Sequence, residues 1–489
     1  MAGVTDLSTD LPPDPDRITR REDRVRVVII GGGPGGYEAA LTAARLGAEV
    51  SLIEERGLGG AAVLTDVVPS KTLIATAEVL DVVARSGALG IRDADSAAAP
   101  TSGALTVDLA AVNARVRRLA QAQSDDIRAA LERAGVRVIT GRGRLAGPNT
   151  VEVVDPDGSV GGRLTADVGL IAVGARPREL PTARPDGRRI LTWTQVYDLT
   201  ELPEHLIVVG SGVTGAEFAS AYRALGSEVT LVSSRDQVLP GSDPDAARAL
   251  EESFAERGVR VHARTRAEAA RVEGDEVLVT LADGTVLRGS HLLMAVGGVP
   301  STRGLGLEEA HVRVKPSGHI ETDRVSRTNV RGLYAAGDCT GVYPLASVAA
   351  MQGRTAMYHA LGEAVAPLIP NQVASAVFTS PEIATVGHSE QEVSDGHIAA
   401  EVLTLPLATN PRAKMQGVRE GFVKLIVRPD SHTVLGGVVV APRASDLIHP
   451  ISLAVSQRLT AEAVARAFTV YPSVSGSTAE VARQVVGQV

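Results

Sequence analysis

Two glycine-rich runs carry the first recognisable chemistry of the chain. Gly31-Gly-Gly-Pro-Gly-Gly36 and Gly210-Ser-Gly-Val-Thr-Gly215 each follow a short β-branched stretch and each open an alanine-rich stretch of helical pattern. Glycine at Gly31, Gly33 and Gly36, and again at Gly210, Gly212 and Gly215, lets the backbone approach a pyrophosphate, whose charge the following helix N-terminus stabilises. Pro34, Gly35, Val213 and Thr214 lie within the same turns. Counting 23 residues on from the first glycine reaches Glu54 in one copy and Ser233 in the other. Glu54 can accept hydrogen bonds from ribose hydroxyls. Ser233, Ser234 and Arg235 offer hydroxyls and a guanidinium, which can bind a 2′-phosphate that a carboxylate would repel. The second copy is therefore expected to take NADPH, or both NADPH and NADH. A third candidate is Asp338, in Leu333-Tyr-Ala-Ala-Gly-Asp-Cys-Thr-Gly341, where Gly337 permits a tight turn that presents the carboxylate.

These residues need particular elements to place them. Val25–Ile30 reads as a buried parallel strand, the residues up to Gly47 as a helix, and Glu49–Ile53 as the next strand, which together make a βαβ unit. The pattern repeats from Leu206–Val209 through a helix to a strand ending at Thr230–Val232. Such repetition argues for two dinucleotide-binding domains. Residues 105–135 read as helix, while Val151–Leu164 and Val277–Leu287 read as hairpins around Asp157-Gly158 and Asp283-Gly284. From about residue 371 the pattern becomes one of antiparallel strands with helices. The expected fold is α/β, with two Rossmann-like dinucleotide-binding domains and a C-terminal α+β domain. The expected boundaries are a flexible extension over 1–23, a first dinucleotide-binding domain over 24–165 and 302–370, a second, for NAD(P), over 166–301, and the C-terminal domain over 371–489, the first of which the resemblance set out below assigns to FAD and the last to dimerisation.

Composition narrows the classes. The chain has 489 residues, 44% of them hydrophobic, which suits a packed core, and a net charge of −8. No basic tract points to nucleic acid. No apolar run reaches the roughly 18 residues that a membrane span needs. The first 23 residues are polar and Pro-rich and lack the apolar stretch of a signal peptide, and the single cysteine, Cys339, fits a cytoplasmic protein. Cys339 is read as a small buried apolar residue. No metal is expected. Only four lysines occur, and Lys71 is the only one in the first 300 residues.

Taken together, GGGPGGYEAALTAARLG, the GG…PSK segment at 59–71, LIAVGARPREL, GSGVTGAEFA, LLMAVGGVPST, GLYAAGDCTGVYPLASVAAMQGR, FTSPEIATVG and NPRAKM resemble the pyridine nucleotide–disulfide oxidoreductases, the group of lipoamide dehydrogenase and glutathione reductase. The match runs from about residue 25 to 485. The resemblance implies that the first nucleotide unit binds FAD, with Asp338 on its ribitol and Pro344, Leu345, Ala346 and Ser347 lining the flavin. It implies further cofactor contacts at Gly60, Ala61, Ser70, Gly143, Val173 and Gly174, and at Gly297 for the nicotinamide coenzyme. It also implies a homodimer, and a Lys71–Glu217 pair beside the flavin, where a cation stabilises the reduced, anionic form.

The chain departs from the family where the dithiol belongs. The family carries two cysteines five residues apart ahead of Pro-Ser-Lys; Ala62 and Val67 stand there instead. Near the C-terminus the family has His-Pro with a glutamate four residues beyond the proline; this chain has Tyr471-Pro472 and Gly476. Thiol–disulfide exchange requires a thiolate attacking sulfur, and neither position supplies sulfur. The remaining chemistry is hydride transfer from NAD(P)H to flavin and on to a planar acceptor such as a quinone, over a less polar face lined by Ala62, Val67 and the partner subunit's Tyr471. Within the family the resemblance is to actinobacterial NAD(P)H–quinone reductases that lack the redox cysteine pair. A soluble NAD(P) transhydrogenase is the alternative enzyme, and a flavin-binding sensor with negligible turnover the alternative of another class.

Overall fold

The computed structural model describes residues 24–92 and 105–486. The segment read as a flexible extension, 1–23, lies outside the described residues. Within them the chain forms two compact units, one drawn from 24–62, 123–175 and 300–368, the other from 63–92, 105–122, 176–299 and 369–486.

The first unit is built on β1 (Arg26–Ile30), α1 (Pro34–Arg45) and β2 (Glu49–Glu54). Its parallel sheet has the order Leu333–Ala335, Val168–Ile171, β1, β2, Arg137–Thr140. Val27 to Ile30 are each at most 4% exposed. Burial on both faces explains why β1 is a continuous apolar run without alternation. On one face α1 packs on the helix Ala346–Ala360. The contact is close because a Cβ on Gly353 would lie 2.1 Å from the Gly35 carbonyl oxygen. On the other, Val28 and Ile30 join Leu145, Val151 and Val153 of a three-stranded antiparallel sheet. That sheet holds the expected turn at Asp157-Gly158, between Thr150–Val154 and Val160–Thr165. Its third strand, Arg142–Gly147, was not anticipated, because its outward positions are Arg142 and Arg144 and its inward ones include a glycine.

The second unit contains α2 (Val67–Arg85), β3 (His205–Val209), α3 (Val213–Leu225) and β4 (Glu228–Val232). Its parallel sheet has the order Arg260–His262, β4, β3, His291–Met294, Ile190–Thr192. The register of β3 on β4 repeats that of β1 on β2: Val208 faces Leu231 as Ile29 faces Leu52. The hairpin at Asp283-Gly284 joins Glu276–Leu281 to Val286–Gly289. After residue 371 comes a five-stranded antiparallel sheet, in which Phe422–Val427 lies between Val434–Ala441 and Glu401–Pro406. The mixed α/β class with an antiparallel C-terminal part is as expected. One strand residue breaks its apolar pattern. Lys424 is fully buried, and its ammonium donates to Asp243 Oδ2 and Asp245 Oδ2, each at 2.8 Å, and to Glu390.

Candidate functional site: two nucleotide cradles and a buried ion pair

The two glycine-rich turns have nearly the same geometry. Gly31 has φ +101° and Gly210 φ +110°, and a Cβ there would lie 2.4 Å from the Ala172 carbonyl oxygen or 2.2 Å from that of Ala295. A Cβ on Gly36 or Gly215 would lie 1.8 Å from the carbonyl oxygen of Gly31 or Gly210. By contrast, nothing lies within 4 Å of a Cβ placed on Gly33 or Gly212. The first and last glycines are thus demanded by the fold, whereas the middle one leaves space beside the helix end. Gly33 and Gly212 are also the N-cap residues of α1 and α3, with no side-chain cap. The first amide N–H groups of both helices therefore lack a capping side chain, and a pyrophosphate suits them.

Around the first cradle, Glu54 Oε2 accepts from Gly32 N at 2.6 Å, and Oε1 accepts from Arg56 N at 2.6 Å and Gly57 N at 3.1 Å. This holds the carboxylate at the mouth of a cleft of about 120 Å³ lined by Glu54, Arg56, Arg128 and Thr140 among others. Gly60, with φ +57°, comes so close to the turn that a Cβ would lie 2.9 Å from Gly33 Cα, and Ala61 beside it is exposed. Gly143 is equally constrained, by Ile30 Cγ2 at 2.6 Å, while Val173 and Gly174 follow the strand Val168–Ile171 and Gly174 stands over open space. Asp338 follows Gly337, whose amide donates to Gln352 Oε1 at 2.8 Å. Burial pushes the Asp338 carboxyl above the usual range, and no neighbouring cation draws it back. Such a half-buried acid suits a ligand hydroxyl. Pro344, Leu345, Ala346 and Ser347 form the entry to the helix Ala346–Ala360, with Pro344 and Ser347 exposed. The half-buried carboxyl of Asp338, the open middle glycine and the cleft beside Glu54 together fit FAD.

The second cradle differs where its acid is missing. Ser233 is fully buried, and its hydroxyl lies 2.7 Å from Ser211 Oγ, accepts from Arg235 N at 3.1 Å and donates to the Arg235 carbonyl at 3.1 Å. Ser211 corresponds to Gly32, so two hydroxyls occupy the place of the Glu54–Gly32 contact. Ser234 and Arg235 face solvent, as does Val213, while Thr214 is half-buried. Gly297, with φ +84°, follows His291–Met294 and has open space at its Cβ position.

Lys71 and Glu217 are brought together by the packing of α2 on α3. Lys71 Nζ lies 2.8 Å from Glu217 Oε2, and Phe378 N donates to Glu217 Oε1 at 3.0 Å. The ammonium is also 4.8 Å from the Phe378 ring centroid. The Lys71 side chain is 28% exposed and that of Glu217 4%. A cation anchored by a buried carboxylate yet open on one side can meet a further anion. Phe378 was not foreseen, although FTSPE belongs to a recognised segment, because its role is carried by a backbone amide. Ser70, on the same turn of α2, is buried and donates to the Val67 carbonyl at 3.2 Å. Val67 opens α2, and Ala62 lies in the short helix Gly60–Leu64; both are half-buried. Cys339, the only cysteine, is fully buried, and burial pushes its thiol up to about 12, so it is inert at neutral pH. Tyr471 is 81% exposed within an apolar run that includes Phe468 and Val470.

Comparison with known proteins agrees with this arrangement. Residues 25–353 match the family described as pyridine nucleotide-disulphide oxidoreductase, and residues 373–482 match its dimerisation domain. The NAD(P)H dehydrogenase (quinone) of Mycobacterium tuberculosis is 52% identical over 471 residues, covering 94% of both chains. The dihydrolipoyl dehydrogenase of Chlamydia muridarum is 33% identical over 455 residues, covering 93% of this chain and 95% of that one. The crystal structure of LpdA from Mycobacterium tuberculosis superposes with a TM-score of 0.89 at 52% identity, covering 94% of this chain and 99% of that one. The HOCl-induced flavoprotein disulfide reductase RclA of Escherichia coli, 24% identical, shares the fold with a TM-score of 0.81, covering 94% of this chain and 99% of that one. Among the described residues no helix is long and apolar enough to cross a membrane. The chain belongs to the pyridine nucleotide-disulphide oxidoreductases.

Proposed function

We propose that the protein is an FAD-dependent NAD(P)H:quinone oxidoreductase that works without a protein dithiol. The family uses FAD and NAD(P)H. The observation that carries the reading is the selective loss of sulfur: Ala62 and Val67 replace the thiols and Cys339 is buried and inert, while both nucleotide cradles and the Lys71–Glu217 pair are retained. The name of the mycobacterial relative supports a quinone as acceptor. The net reaction is NAD(P)H, a proton and a quinone giving NAD(P)⁺ and a hydroquinone. Bound flavin supplies a carrier that takes up a hydride and releases it without thiol chemistry.

The chain's own residues divide the remaining tasks. The turn Gly31–Gly36 and Glu54 hold the FAD pyrophosphate and ribose, and Asp338 holds a ribitol hydroxyl. Gly60, Ala61, Ser70, Gly143, Val173, Gly174 and Pro344–Ser347 complete that site. The turn Gly210–Gly215, Ser234, Arg235 and Gly297 hold the nicotinamide coenzyme, with Ser233 shaping the strand end from beneath. Lys71, held by Glu217, supplies positive charge to the flavin. We assign 24–165 with 302–370 to the FAD domain, 166–301 to the NAD(P) domain and 371–489 to dimerisation. The exposed run Phe468, Val470, Tyr471 suits burial in a homodimer, in which Tyr471 faces the acceptor. The place of work is the cytoplasm.

The purified protein should be yellow and should oxidise NADPH or NADH when a naphthoquinone is added. Faster turnover with thio-NAD⁺ than with any quinone would assign it as a transhydrogenase, and bound flavin without turnover would make it a sensor.

A further inference from the structure

The strand end of the second cradle is joined to a neighbouring segment that carries another arginine. Parallel pairing of β4 with Arg260–His262 sets Val232 beside His262. The contact runs on past the last strand residue, where Ser233 N donates to the His262 carbonyl at 2.8 Å. The chain then bends at Arg264 and meets the same strand end again. Thr265 N donates to the Ser233 carbonyl and Arg264 N to the Arg235 carbonyl, each at 3.0 Å. A backbone hydrogen bond thus fixes Arg264 and Arg235 side by side. The glycine-rich turn holds the same strand end: Gly210 N donates to the Val232 carbonyl at 2.9 Å, and the Ser211 hydroxyl meets that of Ser233 at 2.7 Å.

The backbone at Arg264 does not ask for an arginine. Its φ is +57°, in the left-handed region, where a Cβ is crowded and glycine or asparagine is the comfortable residue. A long cationic side chain held in that conformation points to a use for the side chain. Arg235 and Arg264 are both exposed. Among the described residues neither guanidinium has a hydrogen-bond or ion-pair partner, although Asp236 adjoins Arg235 in the chain. Two such charges on adjacent backbone repel one another until an anion lies between them. A phosphate monoester carries a charge of about −1.5 to −2 at neutral pH and three strong acceptor oxygens. It therefore matches two guanidiniums in charge and in donor geometry.

We propose that Arg264 is a specificity-determining residue of the coenzyme site, closing with Arg235 a guanidinium pair around the 2′-phosphate of NADPH. Ser233 and Ser211 lie beneath and hold the strand end in place, while Arg235 and Arg264 meet the phosphate from its two sides. The pair makes NADPH the preferred donor over NADH. Arg264 acts on binding alone and takes no part in moving the hydride. This rests on the proposed assignment of the second cradle to the nicotinamide coenzyme but not on which acceptor the enzyme uses.

Calorimetric titration of the oxidised holoenzyme with NADP⁺ and with NAD⁺ tests it without turnover, because the two ligands differ only in the 2′-phosphate. Arg264→Asn suits the left-handed backbone and is expected to keep Tm and flavin content, and Arg264→Gly is a second variant with the same property. Each should weaken NADP⁺ binding about tenfold, the loss of one charge-assisted contact, and leave NAD⁺ binding unchanged. Arg235→Ala should show the same split. Unchanged NADP⁺ affinity in the Arg264 variants, or equal weakening of both ligands, would overturn the role of Arg264 while a split in Arg235→Ala upheld the strand end as the 2′-phosphate site. Loss of the split in Arg235→Ala as well would overturn that assignment and this proposal together. Absence of quinone turnover would refute the proposed acceptor and leave the titrations as they are.

Discussion

The clearest test of coenzyme selection is to rebuild the first cradle inside the second. Glu54 reaches its three amides because Gly32 has no side chain: a Cβ there would lie 3.1 Å from Glu54 Oε2. In the second copy the Ser211 side chain fills that space against the fully buried Ser233. Ser233→Glu alone would therefore force a carboxylate against Ser211 and is expected to destabilise the strand end. Ser211→Gly combined with Ser233→Glu should reproduce the Glu54 arrangement. The new carboxylate gains two ribose hydrogen bonds of about 1 kcal/mol each and weakens a charge-assisted 2′-phosphate contact of about 1.5–3 kcal/mol. Repulsion between carboxylate and phosphate adds about 1 kcal/mol. The sum, about 4.5–6 kcal/mol, corresponds to a shift toward NADH on the order of 10³–10⁴-fold in the ratio of kcat/KM values. Steady-state kinetics with both coenzymes and one quinone measure it, with flavin content and Tm confirming the fold. An unchanged ratio in a folded, flavin-loaded double variant would refute the assignment of this strand end to the coenzyme ribose.

Asp338→Asn separates stability from cofactor binding. Because burial raises the folded-state pKa of Asp338, its contribution to stability is fully present below the unfolded value and is lost as pH rises through the folded one. Flavin-free Asp338→Asn should therefore unfold at a higher temperature than the flavin-free parent at pH 7, with the difference vanishing toward pH 3, while the variant retains FAD less well through dialysis. Lys424→Met should lower stability by about 3–5 kcal/mol, because Asp243 would be left buried without its cation. Denaturant unfolding checks this, and a loss below about 1 kcal/mol would show that the three acids rearrange.

Much of the fold was legible because local rules and tertiary structure agree. The glycine spacing, the apolar runs and the Asp-Gly turns each specify a local backbone, and the shared offset of 23 residues from the first glycine places Glu54 and Ser233 at equivalent strand ends with equivalent register. What spacing could not reveal is contact across long separations. Lys71 and Glu217 are 146 residues apart and were paired only through family resemblance. Lys424 was visible as a lone lysine in Phe-Val-Lys-Leu-Ile-Val, but nothing nearby announced its acids, which lie 181, 179 and 34 residues away. Ser233 shows a subtler limit. A serine in place of an acid reads as room for a phosphate, yet the hydroxyl points inward and is saturated, leaving Ser234 and Arg235 outside.

The central claim is that electrons leave this protein without passing through protein sulfur. It is tested most directly by comparing acceptors at fixed enzyme and NADPH, or NADH: lipoamide, oxidised glutathione, a naphthoquinone, a benzoquinone and thio-NAD⁺. Sustained turnover with a quinone and only background rates with lipoamide and glutathione are predicted. Reduction of lipoamide above background by the cysteine-depleted site would contradict the account.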